Sequence, residues 1–280
     1  MSLSPTSRAG SGLAIGLCPE AVGIVRLGGW RHARVDGQEL LEVAEPSADG
    51  MAALTTLEHW LQQNRRTPAG LRRWFPAPAN VVLSDRLVRY ARIPWAGGAL
   101  SRNEEDALIL ACFEERYGDM SAWTVRSETG RYGDGQLAAA VPSMLMAGLH
   151  RVLQAHRLAC RAVSPYFVAC WNRWRRDIAK ANGKVDAMFA VTEAGTTIIG
   201  TLDAAGGGWR SLRSLRAASS ELPAVLAREA VLLSLPERPA TWVHSPQSDA
   251  TATAGGNIHV LSTSPGLPAV IVMALSAVGQ

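Results

Sequence analysis

Gly12-Leu13-Ala14-Ile15-Gly16-Leu17-Cys18-Pro19-Glu20-Ala21-Val22-Gly23-Ile24-Val25-Arg26-Leu27 sets two apolar runs, Leu13 to Leu17 and Ala21 to Leu27, on either side of Cys18-Pro19-Glu20. Proline cannot donate to a β-ladder, so the middle triplet is a turn and the two runs are the arms of a hairpin. His32 to Val35 adds a third short strand. Met51, Leu54, Leu57 and Leu61 then fall at helical spacing with Asp49 placed to cap them, which predicts a helix over Met51 to Leu61. Pro68, Pro76 and Pro78 punctuate a loop before extended segments at Val81 to Leu83 and Leu87 to Ile93. Ser101 and Glu104 form a capping box, and the helix it opens passes through Leu108, Cys112 and Phe113 to end near Gly118. Gly133-Asp134-Gly135 is a turn between extended segments Ala122 to Glu128 and Gln136 to Val141, and Ser143 to His156 is the next helix.

The second half opens the same way. A short strand at Ala162 and Val163 leads through Pro165 into a helix carrying Phe167, Val168, Trp171 and Trp174, which Asn182-Gly183 ends. Ala187 to Val191, Thr196 to Leu202 and Trp209 to Leu215 are three successive strands. Ser220 is placed to cap a helix over Val225, Leu226, Ala230 and Leu233; strands at Thr241 to His244 and Ile258 to Leu261 and a helix over Ala269 to Ala277 complete the chain. Each half starts with three strands before its helices, a duplication that simple alternating βαβ folds do not show.

Composition narrows the function classes. The 280 residues are 48% hydrophobic and carry a net charge of +4, enough apolar material for two lobes and too little charge for a basic tail. Arginine supplies nearly all the positive charge, since Lys180 and Lys184 are the only lysines; clusters at Arg65/Arg66, Arg72/Arg73 and Arg173/Arg175/Arg176 sit beside tryptophans without any nucleic-acid motif, and no nucleic-acid partner is expected. Cys18, Cys112, Cys160 and Cys170 form no CxxC pair and have no histidine at zinc spacing, so no metal is expected. The Ser- and Gly-rich residues 1–12 are expected to be disordered and are no secretory signal. The apolar stretch Ala269 to Val278 is too short for a bilayer core of about 30 Å. Walker A, HExxH and GxSxG motifs are missing.

The Gly12-to-Leu27 hairpin, the Val81-to-Ile93-Pro94 step, the Glu104/Glu105 helix and the Gln136-to-Pro142 strand resemble, in order and spacing, the PilM family of type IV pilus assembly proteins, its short HofM-type members above all; they are also similar to the cytoplasmic domain of type II secretion L proteins. The resemblance implies an α/β, actin-like (ribonuclease H-like) two-lobed fold: a first lobe over 13–164 with an inserted module at about 99–142, and a second over 165–280. It implies a cytoplasmic scaffold of a pilus, secretion or DNA-uptake machine, peripheral to the inner membrane through a PilN-like bitopic partner. Self-association through the inserted module is a further implication.

ATP-binding relatives carry an aspartate for hydrated magnesium, then a glycine and hydroxyl residues, in the first hairpin. Here those places hold Ala14, Gly16, Leu17 and Cys18; in the second loop Val191 and Glu193 stand at the aspartate and glycine positions ahead of Gly195, Thr196 and Thr197. The glycine-rich stretch for adenosine should follow His244, where Ser245-Pro246-Gln247-Ser248 stands and Gly255-Gly256 comes later. Gly16, Gly195, Thr196 and Thr197 are therefore vestigial nucleotide loops by resemblance, though Thr196 and Thr197 are equally plain strand residues. No catalysis and no cofactor are expected. The alternative is a working actin-like ATPase that holds ATP and magnesium with other residues. Arg86, Arg89 and Arg92 alternate with Leu87, Val88 and Tyr90 along an extended segment and are candidate partner contacts; a solvated strand face is the simpler account of them.

Overall fold

The computed structural model describes residues 12–28, 34–64, 76–128, 133–182, 185–203, 208–217, 219–235, 239–246, 257–261 and 266–278. The expected disorder of residues 1–11, the arginines at 65, 66, 72 and 73, and Gly255-Gly256 lie outside them. The chain divides into two compact units, one of Met1–Leu87, Met144–Arg173 and Leu267–Gln280, the other of Val88–Ser143 and Trp174–Gly266.

In the first unit the hairpin read from sequence is β1 (Gly12–Leu17) antiparallel to β2 (Ala21–Gly28), closed by a hydrogen bond from Cys18 N to Ala21 O of 3.0 Å. β3 (Arg34–Glu42) pairs with β2, while β4 (Ala77–Leu83) and β8 (Leu158–Pro165) extend the sheet in parallel on the other side of β1. Of the expected strand His32 to Val35, His32 and Ala33 lie outside the described residues, and β3 runs well past Val35 through a stretch without alternating hydropathy: it is an edge strand, and a bulge at Asp36 sets Leu27 opposite Val35 but Arg26 opposite Gly37. Helix α1 (Met51–Gln63) buries Leu54, Leu57 and Leu61 as the spacing predicts, and Asp49 Oδ1 accepts the Met51 N–H at 3.1 Å. α3 (Ser143–Ala155) is the expected helix. Where α4 (Tyr166–Asn182) begins, the buried Asp85 carboxylate accepts the Phe167 N–H with both oxygens, at 3.1 and 3.0 Å, an anion where the helix exposes its amides.

The second unit holds a sheet of the same connectivity. β9 (Ala187–Glu193), β10 (Thr196–Leu202) and β11 (Trp209–Arg216) are antiparallel neighbours, and β12 (Ala240–His244) and β13 (Ile258–Leu261) add in parallel beside β9. α5 (Leu222–Leu232) covers one face through Leu222, Leu226 and Ala230. Its start is a short 3-10 turn over Ser219–Glu221, with no side-chain cap from the expected Ser220. The same unit contains a small sheet in which β5 (Arg89–Ile93) and β6 (Trp123–Ser127) flank β7 (Gln136–Pro142) under α2 (Arg102–Tyr117). The capping box forms as read: Ser101 Oγ accepts from Glu104 N at 3.4 Å and Glu104 Oε2 accepts from Ser101 N at 2.8 Å. Among the described residues no helix is long and apolar enough to cross a membrane.

Two predictions come from this packing. Glu229 on α5 is 3% exposed and receives only Arg213 Nη1 among the described residues, at 3.0 and 3.1 Å. Arg213→Met strands that carboxylate and should lower stability in urea unfolding by about 1–3 kcal/mol, with partial recovery in Arg213→Met/Glu229→Leu. The Ser101 hydroxyl and backbone N–H hold Glu104 below its ordinary carboxyl range. The cap is then complete above that range and is lost as pH falls through the lowered folded value. Amide exchange in the first turn of α2 should accelerate over that window, and Glu104→Gln should remove the pH dependence.

Candidate functional site

Ala14, Gly16 and Cys18 alternate along the first arm of the hairpin and so point to one face. That face is covered by α6 (Ala269–Ser276), a helix whose Val270 to Ala274 are all buried. Ala14 is fully buried in one cluster with Val25, Ile271 and Ala274. Gly16 is paired in register with Gly23, and both are glycines for want of space: a Cβ at Gly16 would collide with the Val270 carbonyl oxygen, and one at Gly23 would lie 2.6 Å from the same atom. Cys18 Sγ lies 3.9 Å from Met273 Sδ. Leu17, on the opposite face, is fully buried. Ala14, where the resemblance sets a magnesium aspartate, is thus buried among apolar groups, and Gly16 has a packing reason to be there.

In the second unit, β9 and β10 are joined by Ala194-Gly195, with φ of 32° and 79°. Two successive positive φ values are what a two-residue hairpin of primed type needs, and they account for the glycine without a ligand. Thr196 is half-buried opposite Glu193, which is itself buried beside the strand's apolar residues. Thr197 is fully buried opposite Thr192, and the two hydroxyls share a sheet face yet neither has a hydrogen-bond partner among the described residues. Sequence reading missed Thr192; its pairing with Thr197 follows once the two-residue turn fixes the register. Val191 is buried as well. After His244, whose Nδ1 lies 2.7 Å from the Leu261 carbonyl, residues 247–256 are outside the described set.

The three candidate arginines do not share a face. Arg86 stands in the 3-10 turn Asp85–Leu87 of the first unit and ion-pairs with Glu20. Arg89 and Arg92 lie on β5 an odd number of residues apart, so the pleat turns them to opposite sides. Arg92 donates from Nε to the Trp209 carbonyl at 2.7 Å, and Arg89 faces α2, among Tyr117, Met120 and Trp123. Among the described residues no three of His, Cys, Asp and Glu are grouped to hold a metal. Burial pushes the Cys112 and Cys160 thiols up, the nearby Glu115 adding to the shift at Cys112, so neither is an activated nucleophile.

No family model matches the chain, and no curated protein matches it. Solved structures do. A Bacteroides thetaiotaomicron protein described as having an actin-like ATPase fold and unknown function superposes with a TM-score of 0.60 at 9% identity, covering 99% of both chains. A chain of a PilM-PilN type IV pilus biogenesis complex gives 0.61 at 13% identity over 95% of this chain and 89% of that one. The cytoplasmic domain of EpsL, an inner membrane component of the Vibrio cholerae type II secretion system, gives 0.52 at 10% identity over 96% and 94%. The chain has the actin-like ATPase fold. Within that fold its first hairpin carries alanine, leucine and cysteine, and its second a tight turn backed by two buried threonines.

These buried environments generate a paired prediction. Ala14→Asp would place a carboxylate among Val25, Ile271 and Ala274 and should lower stability by about 3 kcal/mol or more in thermal or urea unfolding. Thr192→Val/Thr197→Val replaces both hydroxyls, unpaired among the described residues, with methyls of the same shape and should leave stability unchanged or raise it.

Proposed function

We propose that the chain is a cytoplasmic, non-catalytic scaffold of a type IV pilus or a related secretion or DNA-uptake machine. It is held at the inner membrane by the cytoplasmic tail of a PilN-like bitopic protein, and its nucleotide loops are vestigial. The observation that carries the reading is the burial of Ala14 under α6 on the actin-like hairpin. Binding a triphosphate through magnesium takes an ionised, hydrated carboxylate close to the phosphates. A methyl group packed among aliphatic side chains supplies neither charge nor water. The hydroxyl positions, filled by Leu17 and Cys18, add no strong donor for phosphate oxygens.

Likeness to the chain in the PilM-PilN complex and to cytoplasmic EpsL, over nearly the whole length, supports the assignment to this kind of machine. A scaffold of this type asks little of its loops and much of its rigidity. Two sheets with buried central strands and a capped, separately cored module meet that demand. Arg86, Arg89 and Arg92 remain proposed partner contacts on this reading, with Arg86 and Arg92 also engaged in contacts within the chain.

The test is calorimetry on the intact protein. Titration with magnesium and ATP at micromolar concentration should give no binding heat. The synthetic cytoplasmic tail of a small bitopic membrane protein encoded beside this chain should bind and raise the melting temperature. A ligand at about 100 times its Kd adds about 2.7 kcal/mol to the native state, a shift of a few degrees for a chain of this size. Tight, magnesium-dependent ATP binding without tail binding would replace the scaffold reading with that of a working ATPase.

A further inference from the structure

Two of the three candidate arginines spend guanidinium groups inside the chain, Arg86 on the carboxylate of Glu20 and Arg92 on the carbonyl of Trp209. Arg89 does not. Its guanidinium carbon lies 4.0 Å from the ring centroid of Trp123 and 5.2 Å from that of Tyr117. Its side chain makes one hydrogen bond among the described residues, from Nη1 to the Met120 thioether at 3.6 Å, and sulfur there is a weak acceptor. Arg116, at the exposed end of α2, brings a second guanidinium carbon within 5.4 Å of the same Tyr117 ring. Neither arginine has an ion-pair partner among the described residues. Tyr117 is itself fixed, its hydroxyl donating to the Tyr90 carbonyl at 2.8 Å. Two cations are thus oriented about one immobilised aromatic ring, with N–H donors that no oxygen of the described residues receives.

The surroundings say what kind of anion fits. Glu114, Glu115 and Asp119 are exposed beside the pair, and Asp119 already accepts the Ser121 N–H and hydroxyl at 2.8 and 2.9 Å. These carboxylates repel a polyanion, so an extended phosphate backbone or an anionic bilayer, each needing many cations, is disfavoured. A single carboxylate flanked by apolar groups meets less of that repulsion than a polyanion does. It meets arginine, tyrosine and tryptophan, residue types enriched in protein interfaces. The planar guanidinium, held against an aromatic face, pays little additional entropy on binding.

We propose that Arg89 and Arg116, set about the Tyr117 ring with Trp123 against Arg89, receive one carboxylate of a peptide segment of a partner protein, whose apolar neighbours pack on Trp123 and Tyr117. This rests on the scaffold reading above and names the chemistry of the tail it binds. A double-mutant cycle on the full chain tests it. The synthetic tail peptide is titrated intact and with each Asp or Glu replaced singly by Asn or Gln, against the native protein, Arg89→Lys and Arg116→Gln. One acidic position should weaken binding about tenfold when neutralised. Arg89→Lys, which keeps charge but loses the planar fork, should do the same, and the two changes together should cost no more than either. Arg116→Gln, at an exposed position, leaves the fold intact and should weaken the intact peptide more than the neutralised one. Additive effects, or full affinity in both arginine variants, would overturn the carboxylate receptor while leaving the scaffold reading in place. Absence of any tail binding to the native chain would remove both. Binding of the native chain to phosphatidylserine vesicles, lost in Arg89→Lys, would transfer the site to a lipid surface and overturn the proposal.

Discussion

The close approach of α6 to the β1–β2 hairpin is the constraint on which the first unit rests. Gly16 and Gly23, paired across the hairpin, leave room for the Val270 carbonyl, and no other residue fits at either position without moving the helix. Once the helix is seated there, the rest of that face must be small and apolar, and Ala14, Cys18 and Val25 are. The same two glycines therefore explain why a hairpin with the outline of a phosphate loop has no polar chemistry on this side. Burying a Leu-sized side chain stabilises by about 1.5–3 kcal/mol, whereas an unpaired carboxylate at the same depth costs several.

The two larger sheets have one connectivity, β3-β2-β1-β4-β8 in the first unit and β11-β10-β9-β12-β13 in the second. Each begins with three antiparallel strands in sequence and then adds parallel strands on the far side of the first. That repetition was legible from the apolar runs, because each hairpin arm is buried enough to read as a continuous hydrophobic segment and each turn carries proline or glycine. The capping box at Ser101 and the apolar spacing of α1 were legible for the same local reason: their signals lie within a turn or two of helix.

What escaped the sequence reading was long-range or broke the period. β3 gives no alternation in hydropathy because the bulge at Asp36 shifts its phase and its half-buried face, Gly37, Glu39 and Leu41, is no more apolar than the exposed one. Arg86, Arg89 and Arg92 look like one basic row when written in a line, yet a spacing of three in a pleated strand sends Arg89 and Arg92 to opposite faces, and the 3-10 turn takes Arg86 out of the strand altogether. Gly16 reads equally as a phosphate-loop residue and as a packing residue; only the position of a helix more than two hundred residues later separates the two. Thr192, Arg116, Tyr117 and Trp123 carry no motif, and their importance comes from register and from the way α2 folds back over its sheet.

The small sheet shows how one strand can serve two purposes. On β5, Ala91 and Ile93 enter the core under α2 with Phe113 and Ile109, and Arg89 on the same face ends against Trp123 rather than against a carboxylate. On the other face Arg92 fastens to the backbone of β11 through a charged donor and a carbonyl acceptor, a bond that does not depend on the side chain at position 209. Ala91 and Ile93 do the packing on the first face, and Arg89 lies at the margin of that core. An arginine placed there is tolerated half-buried because two aromatic rings lie against it and a thioether accepts one of its N–H groups, and polarisable contacts of this kind stabilise the cation without saturating its donors. An acidic residue of the chain at the same spot would have closed the network and left a stable but inert module.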